Sequence, residues 1–260
     1  MIKSRMILRL KRAEQGSALQ MTIDRPAVKQ QAKEIIRTSK PSLITAGLIF
    51  TLLSVLISFL SLRLTGVAYE DMTGILQASS EGRTEAAMQL MSRAMPGPGE
   101  SLIDVLLHLA LSVVSVGFTI FTLNTVRKNA PDFGNMLDGF GMMPRLLWLL
   151  ILEALFVMLW SCLFVIPGII AAYRYSLAVY IMIDHPELSA MDCIRESKRM
   201  AQGFKSQLFL LDLSFILWLL LSSLPVIGYA VQVFLTPYME TSKALYYEQI
   251  RVQGSEWQVV

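Results

Sequence analysis

The sequence predicts an all-α protein: a polytopic transmembrane helical bundle of about six spans, preceded by a basic amphipathic helix. Of the 260 residues, 54% are hydrophobic, and the mean hydropathy is +0.52. Charged residues make up 17%, against about 25% in soluble domains. The deficit is local: charges cluster in a few segments and nearly vanish from the long apolar runs between them. That is the pattern of a chain solvated by lipid along part of its length. Lys and Arg also concentrate in alternate polar segments, as cytoplasmic loops require.

Residues 1–20 are basic, but their apolar stretch is too short for the core of a cleavable signal peptide. Met21 stands just before a helix start and is a second candidate start of translation; an N-terminal sequence of the native protein beginning at residue 1 would exclude it. Asp24 can cap a helix with Pro26 in its first turn. Over Arg25–Thr38, Val28, Ala32, Ile35 and Ile36 share one face, with Lys29, Lys33 and Arg37 outside it. Two readings fit: a basic helix lying on the inner membrane surface, or a solvated helix packed on the protein's own cytoplasmic side.

The first span is expected near Pro41–Leu62. A polar loop over 64–100 follows, ending in Pro96-Gly97-Pro98-Gly99 and holding a short helix over Thr84–Met95. Ala87, Met88, Met91 and Met95 share a face of that helix. It reads as an interfacial face rather than a copper(I) site. The second span covers Leu102–Val126 and stops at Arg127-Lys128, before a compact loop rich in Gly and Pro over Asn129–Arg145.

The apolar stretch Leu146–Ile183 is too long for one crossing: at 1.5 Å per residue it exceeds the ~30 Å hydrocarbon core nearly twofold. Pro167-Gly168 lies near its middle and breaks it into spans Leu146–Ile166 and Ile169–Asp184. Leu208–Tyr247 repeats the situation, with Pro225 and Gly228 at the centre and spans Leu208–Leu224 and Val226–Tyr247. Pro237 is a candidate kink. Between the two hairpins, Ser189 and Asp192 form a capping box for a basic helix that Gly203 can end. The organisation is therefore a cytoplasmic segment (1–40), a six-span domain (41–250) and a short cytoplasmic tail (251–260).

Charge supports this topology. Segments 1–40, 127–145 and 184–207 hold ten, three and four basic residues, and Arg251 lies in the tail. The outer segments hold Arg83 and Arg93, with Arg63 at the border. Both termini then lie in the cytoplasm of a cell membrane.

Ionisable groups inside the bilayer need partners. Arg174, flanked by Tyr173 and Tyr175, is expected near the midplane. Glu153 and Asp212 lie about a third of the way along their spans by residue count. Glu240 and Lys243 are one turn apart in the last span. Arg174 can be neutralised by Asp212, Glu153 or Glu240, in a network that either joins the hairpins or lines an ion or solute pathway. His108 is a lone histidine, for packing rather than a metal. Cys162 and Cys193 have no CxxC partner, so no disulfide framework or zinc site is expected. No Walker A loop, GxSxG or HExxH is present. The expectation is a protein that is not an enzyme, holds no cofactor or metal, and binds no nucleic acid. Its partners are the lipid bilayer and a further membrane protein.

The second half resembles an uncharacterised family of bacterial integral membrane proteins, classed as a domain of unknown function. The resemblance rests on Ile166-Pro167-Gly168-Ile169-Ile170, Tyr173-Arg174-Tyr175-Ser176, Glu196-Ser197-Lys198-Arg199-Met200 with Gly203 and Lys205, and Phe209–Phe215 with Trp218. Pro237-Tyr238 and Tyr246-Tyr247-Glu248 complete it, over about residues 130–250. The loop Asn129–Phe140 and the helix after Asp24 are also similar to the family; residues 1–20 and the outer loop are not. The resemblance implies a six-span protein in the cytoplasmic membrane. It also implies that Arg174, Asp212 and the Pro167-Gly168 turn belong to a shared framework. It brings no reaction, substrate or cofactor. The sequence alone thus supports a non-enzymatic scaffold or accessory subunit of an envelope or transport system; the alternative is a transporter-like protein with a polar pathway around Arg174, Glu153 and Asp212.

Overall fold

A computed structural model describes residues 23–65, 69–94, 98–224 and 227–256. The readings on residues 1–20, on Met21, Met95 and Pro225, and on the last residues of the tail lie outside these. Among the described residues every regular element is helical.

Helix α1 (Arg25–Thr38) begins with Pro26 in its first turn, where the missing N–H costs nothing. Asp24 holds the cap position in an extended conformation, but its side chain makes no capping bond. The entry is fixed instead by the Ile23 N–H, which donates to Gln207 Oε1 at 2.9 Å. Ser39 then joins α1 to α2 (Leu43–Thr65), its hydroxyl accepting from the Leu43 N–H at 3.1 Å.

The segment expected as a polar loop is more ordered than that. It forms two helices, α3 (Tyr69–Ser80) and α4 (Thr84–Ala94), folded as a hairpin through Gly82 at φ +69°. The first of these was not legible, because Tyr69–Ser80 has too few apolar residues to show a face until α4 covers it. On α4, Met88 and Met91 are exposed.

Helix α5 (Pro98–Arg127) runs back beside α2, with Phe50 and Phe118 stacked at 5.6 Å. The following loop folds onto α5 rather than hanging free. It contains a single turn, α6 (Asn135–Asp138), and a 3₁₀ turn over Gly139–Met142. Phe133 stacks on Phe121 at 5.7 Å and Met136 is buried.

The first apolar hairpin is α7 (Met143–Leu163) followed by α8 (Val165–Tyr175) and α9 (Ala178–Asp184). Its turn differs from the expected one. The chain reverses at Phe164, in extended backbone, and Pro167 lies in the first turn of α8. A proline there forfeits no helical hydrogen bond, so it starts the return helix rather than ending the outgoing one. Gly168 serves packing: a Cβ would fall 2.1 Å from Ser161 Oγ. The return limb is also broken, at Ser176-Leu177.

Helix α10 (Ala190–Met200) is capped by Ser189, whose hydroxyl oxygen accepts from the Asp192 N–H at 3.2 Å. Gly203, at φ +85°, lies in the turn beyond it. The second hairpin pairs α11 (Lys205–Leu213) and α12 (Ile216–Ser222), bent by 46°, with the long α13 (Ile227–Glu256). Gly228 repeats the role of Gly168: a Cβ would fall 2.1 Å from the Ser222 carbonyl oxygen. Helix α13 continues through Pro237.

Among the described residues four helical stretches are long and apolar enough to cross a membrane: Leu43–Leu64, Leu102–Arg127, Asn135–Leu163 and Val165–Asp184. The bent pair α11–α12 makes a fifth if taken as one span. Helix α13 is long enough, at 30 residues, but is not among them. It packs against α1, α2, α5 and α12, and its Thr241 and Ser242 are fully buried. Its C-terminal half carries the fully buried Tyr246 and Tyr247, and Phe118, Phe121 and Phe215 are the largest fully buried side chains elsewhere. Leu52 and Leu56 on α2, Met158 and Leu159 on α7, and Leu217 and Leu220 on α12 are exposed. Such outward apolar side chains are those of a surface solvated by hydrocarbon.

Candidate functional site: a polar cavity inside the bundle

Helix α13 places Glu240 and Lys243 one turn apart, so both point into the same interior region. Lys243 Nζ lies 3.7 Å from Asp212 Oδ1 on α11, an ion pair too long for a hydrogen bond. The other Asp212 oxygen accepts from the Tyr173 hydroxyl of α8 at 3.1 Å. Glu240 Oε2 accepts from Thr119 Oγ1 of α5 at 3.4 Å. The Tyr180 ring of α9 is buried, and its phenol lies within reach of the charges of Glu240 and Asp212. Its hydroxyl faces the Glu240 carboxylate.

Thr119, Tyr180, Glu240 and Lys243 border a cavity of about 320 Å³. Ser112, Ser115 and Thr119 line it from α5, Ser176 and Tyr180 from the broken return limb, and Glu240 and Lys243 from α13. One carboxylate, one ammonium and several hydroxyls therefore converge on a space of small-molecule size. Among the described residues no three His, Cys, Asp or Glu gather as a metal site.

A second polar cluster ties α5, α9 and α13 near the end of α5. Arg127 makes a bidentate bond to Asp184, at 2.6 and 2.7 Å, and its Nε donates to Glu248 at 2.7 Å. Tyr247 donates to Asp184 at 2.8 Å and stacks on Tyr180 at 5.0 Å between ring centres. The three charged side chains are at most 18% exposed. Arg127 thus joins the ends of α5, α9 and α13.

The structure divides the expected intramembrane residues. Asp212, Glu240 and Lys243 are brought together. Arg174 is not with them, and among the described residues it forms no ion pair. Tyr173 and Arg174 are consecutive, hence about 100° apart around the helix. With Tyr173 turned to Asp212, Arg174 is turned toward Lys205 and the start of α11. Its carbonyl accepts from Ser197 Oγ at 2.9 Å, while its buried Nε has no partner of good geometry. The expected neutralisation of Arg174 by Asp212, Glu153 or Glu240 is therefore not made. Glu153 on α7 also stays apart, with one buried oxygen unpartnered. His108 is not alone: its Nδ1 lies 3.0 Å from the Asp104 carbonyl and 3.3 Å from the Asp104 carboxylate.

The basic face of α1 is turned inward in part. Val28 and Ala32 are fully buried, and α1 packs on α13. Lys29 donates to Ser214 Oγ at 2.8 Å and sits 4.1 Å from the centre of the Phe215 ring. Lys33 sits 5.7 Å from the Tyr238 ring centre. Arg37 is exposed. Of the two readings of this helix, the contacts are those of a helix docked on its own protein.

Sequence reasoning missed Thr119, Ser112, Ser115, Ser176 and Tyr180. A signal existed on α5, where hydroxyls at 112, 115, 119 and 122 follow helical spacing. Arg127, Asp184 and Glu248 read only as charges at span ends, and nothing local says that they meet.

The chain matches no curated protein and no solved structure. Residues 162–254, which hold the return limb of the first hairpin, α10 and all of the second hairpin, match an uncharacterised family described as "Protein of unknown function (DUF975)".

Proposed function

We propose that this is an integral protein of the cell membrane that binds a small polar solute carrying both charges in the cavity between α5, α9 and α13, as a transporter-like protein rather than an enzyme. The observation that carries the reading is the convergence of Glu240, Lys243 and the hydroxyls of Ser112, Ser115, Thr119, Ser176 and Tyr180 on one cavity. A carboxylate and an ammonium facing one space complement a zwitterion, and the surrounding hydroxyls supply further donors and acceptors. In this reading α13 is the sixth span, both termini are cytoplasmic, and the cavity opens through the gap between α5 and α9.

The test is thermal unfolding of the full chain in lipid nanodiscs against a panel of small zwitterions, such as amino acids and betaines. At a hundredfold excess over Kd, a bound solute stabilises by ~2.7 kcal/mol, a shift of several degrees. Glu240→Gln and Lys243→Met should each abolish the shift while the unliganded protein still unfolds cooperatively. If no zwitterion shifts the wild type, the reading fails.

A second reading, a non-enzymatic accessory subunit, draws support from the Arg127 tie and the docked α1, which hold a rigid basic inner layer. Its expected signature is a stoichiometric protein partner that survives gentle extraction and native mass spectrometry, lost when Lys198 and Arg199 on the exposed face of α10 are changed to Glu.

A further inference from the structure

We propose that the groove between α1, α12 and α13 is a specific site for one anionic phospholipid, its phosphate held by Lys29 and Lys33 and an acyl chain laid along α13. The groove measures about 580 Å³. Its floor is a single helical stripe, Ile227, Val231, Phe234 and Tyr238, with Trp218 on the facing wall of α12. Eleven residues separate the ends of this stripe, so it is ~16 Å long, about half the hydrocarbon thickness and thus the depth of one leaflet. Ile227, Phe234 and Trp218 are each more than half exposed, so the groove is open to the surrounding lipid along its length.

The polarity is graded along that length. The Ile227 end is wholly apolar, and both ammonium groups lie at the Tyr238 end, each less than 6 Å from that ring's centre. No carboxylate lines the groove, and among the described residues neither lysine has an ion-pair partner. Lys29 has Ser214 as its hydrogen-bond partner, which fixes its direction. Burial first, and then the charge of Lys33, push its pKa down. An anion seated between the two would relieve both effects. Amphiphilic shape and charge together select the occupant. A soluble anion would leave the stripe uncovered, and a neutral lipid would leave two like charges facing each other.

The proposal is independent of the solute cavity, which lies on other helices and shares no lining residue with it. The test uses the delipidated full chain in detergent, titrated with phosphatidylglycerol or phosphatidylcholine of identical acyl chains, with bound lipid counted by native mass spectrometry. Each lysine near the surface favours an anionic lipid by about fivefold, so phosphatidylglycerol should bind at least that much tighter. Lys33→Gln, at an exposed residue, should cut the preference about fivefold. Ala230→Trp, on the exposed edge of the stripe, should abolish binding with both lysines intact. Lys198→Gln, on another basic surface, should change nothing. Equal binding of the two lipids, or a preference that survives both Lys33→Gln and Ala230→Trp, would overturn the proposal. So would displacement of phosphatidylglycerol by glycerol phosphate at similar concentration, since the groove would then hold a soluble anion.

Discussion

Arg127 is the side chain on which α5, α9 and α13 converge. It neutralises Asp184 and Glu248 together, and Tyr247 satisfies one of the Asp184 oxygens. A largely buried charge set of this kind is costly to break and cheap to replace as a whole. Arg127→Met alone should destabilise the protein by ~3–5 kcal/mol, because two carboxylates are left uncompensated. Arg127→Met combined with Asp184→Leu and Glu248→Leu should recover most of that loss, as read from denaturant midpoints in mild detergent. If the triple variant is no better than the single one, the cluster does more than hold the helices together. The two hairpin glycines differ at the same scale. Gly168→Ala collides mainly with the Ser161 side chain, whereas Gly228→Ala collides with the Ser222 backbone. Overpacking of this kind costs ~1–3 kcal/mol. Adding Ser161→Gly should restore part of the stability of Gly168→Ala, while no side-chain change at Ser222 should rescue Gly228→Ala.

Among the elements, the return limb of the first hairpin and the helix α11–α12 share a design: each is interrupted partway by a short non-helical turn. In the first, the interruption lies at Ser176-Leu177, and Ser176 and Tyr180 line the cavity. In the second, the interruption at Ser214 leaves carbonyl groups to be satisfied, and Lys29 from α1 is directed at both the carbonyl and the hydroxyl of that residue. A cation at a helix C-terminus is favourable, by about 0.3–1 kcal/mol at exposed sites. Helix α1 is therefore a brace for the bend as well as one wall of the groove. Removing the docked face with Val28→Asp and Ala32→Asp should free α1 from α13. The expected readout is faster amide hydrogen exchange over 25–38 and 210–216 together. Exchange that rises over 25–38 alone would show that the bend stands without its brace.

For the whole molecule the open matter is orientation, and the surface supplies the probes. Ser80 ends α3 on the outer hairpin and is exposed, and Lys198 is exposed on α10. With exposed Cys162 changed to Ala and buried Cys193 kept, a membrane-impermeant thiol reagent applied to whole cells should label Ser80→Cys and spare Lys198→Cys. The reverse pattern would refute cytoplasmic termini. Ser197, next to Lys198, is unsuitable as a probe because it is fully buried and bonded to the Arg174 carbonyl.

Hydrophobic runs and their breaks determined by themselves that the chain is an all-helical bundle of apolar helices, because lipid-exposed backbone must satisfy its hydrogen bonds within each segment. The same local reasoning located the hairpins and the cap of α10, since a proline, a glycine and a serine act on their own neighbours. It placed the first turn three residues late, because a proline marks a helix start as readily as an end. It treated the last helix as one more apolar span, whereas the structure packs it on α1, α2, α5 and α12 and buries several of its polar residues, among them Thr241 and Ser242, leaving Ile227 and Phe234 exposed. Only the tertiary structure decided which charges meet. Asp212 lies with Lys243 and Tyr173 instead of Arg174, and Arg127 lies with Asp184 and Glu248, which are 57 and 121 residues away in sequence. Such pairings follow from the rotation of each helix about its axis, which neighbouring helices fix and no segment specifies alone.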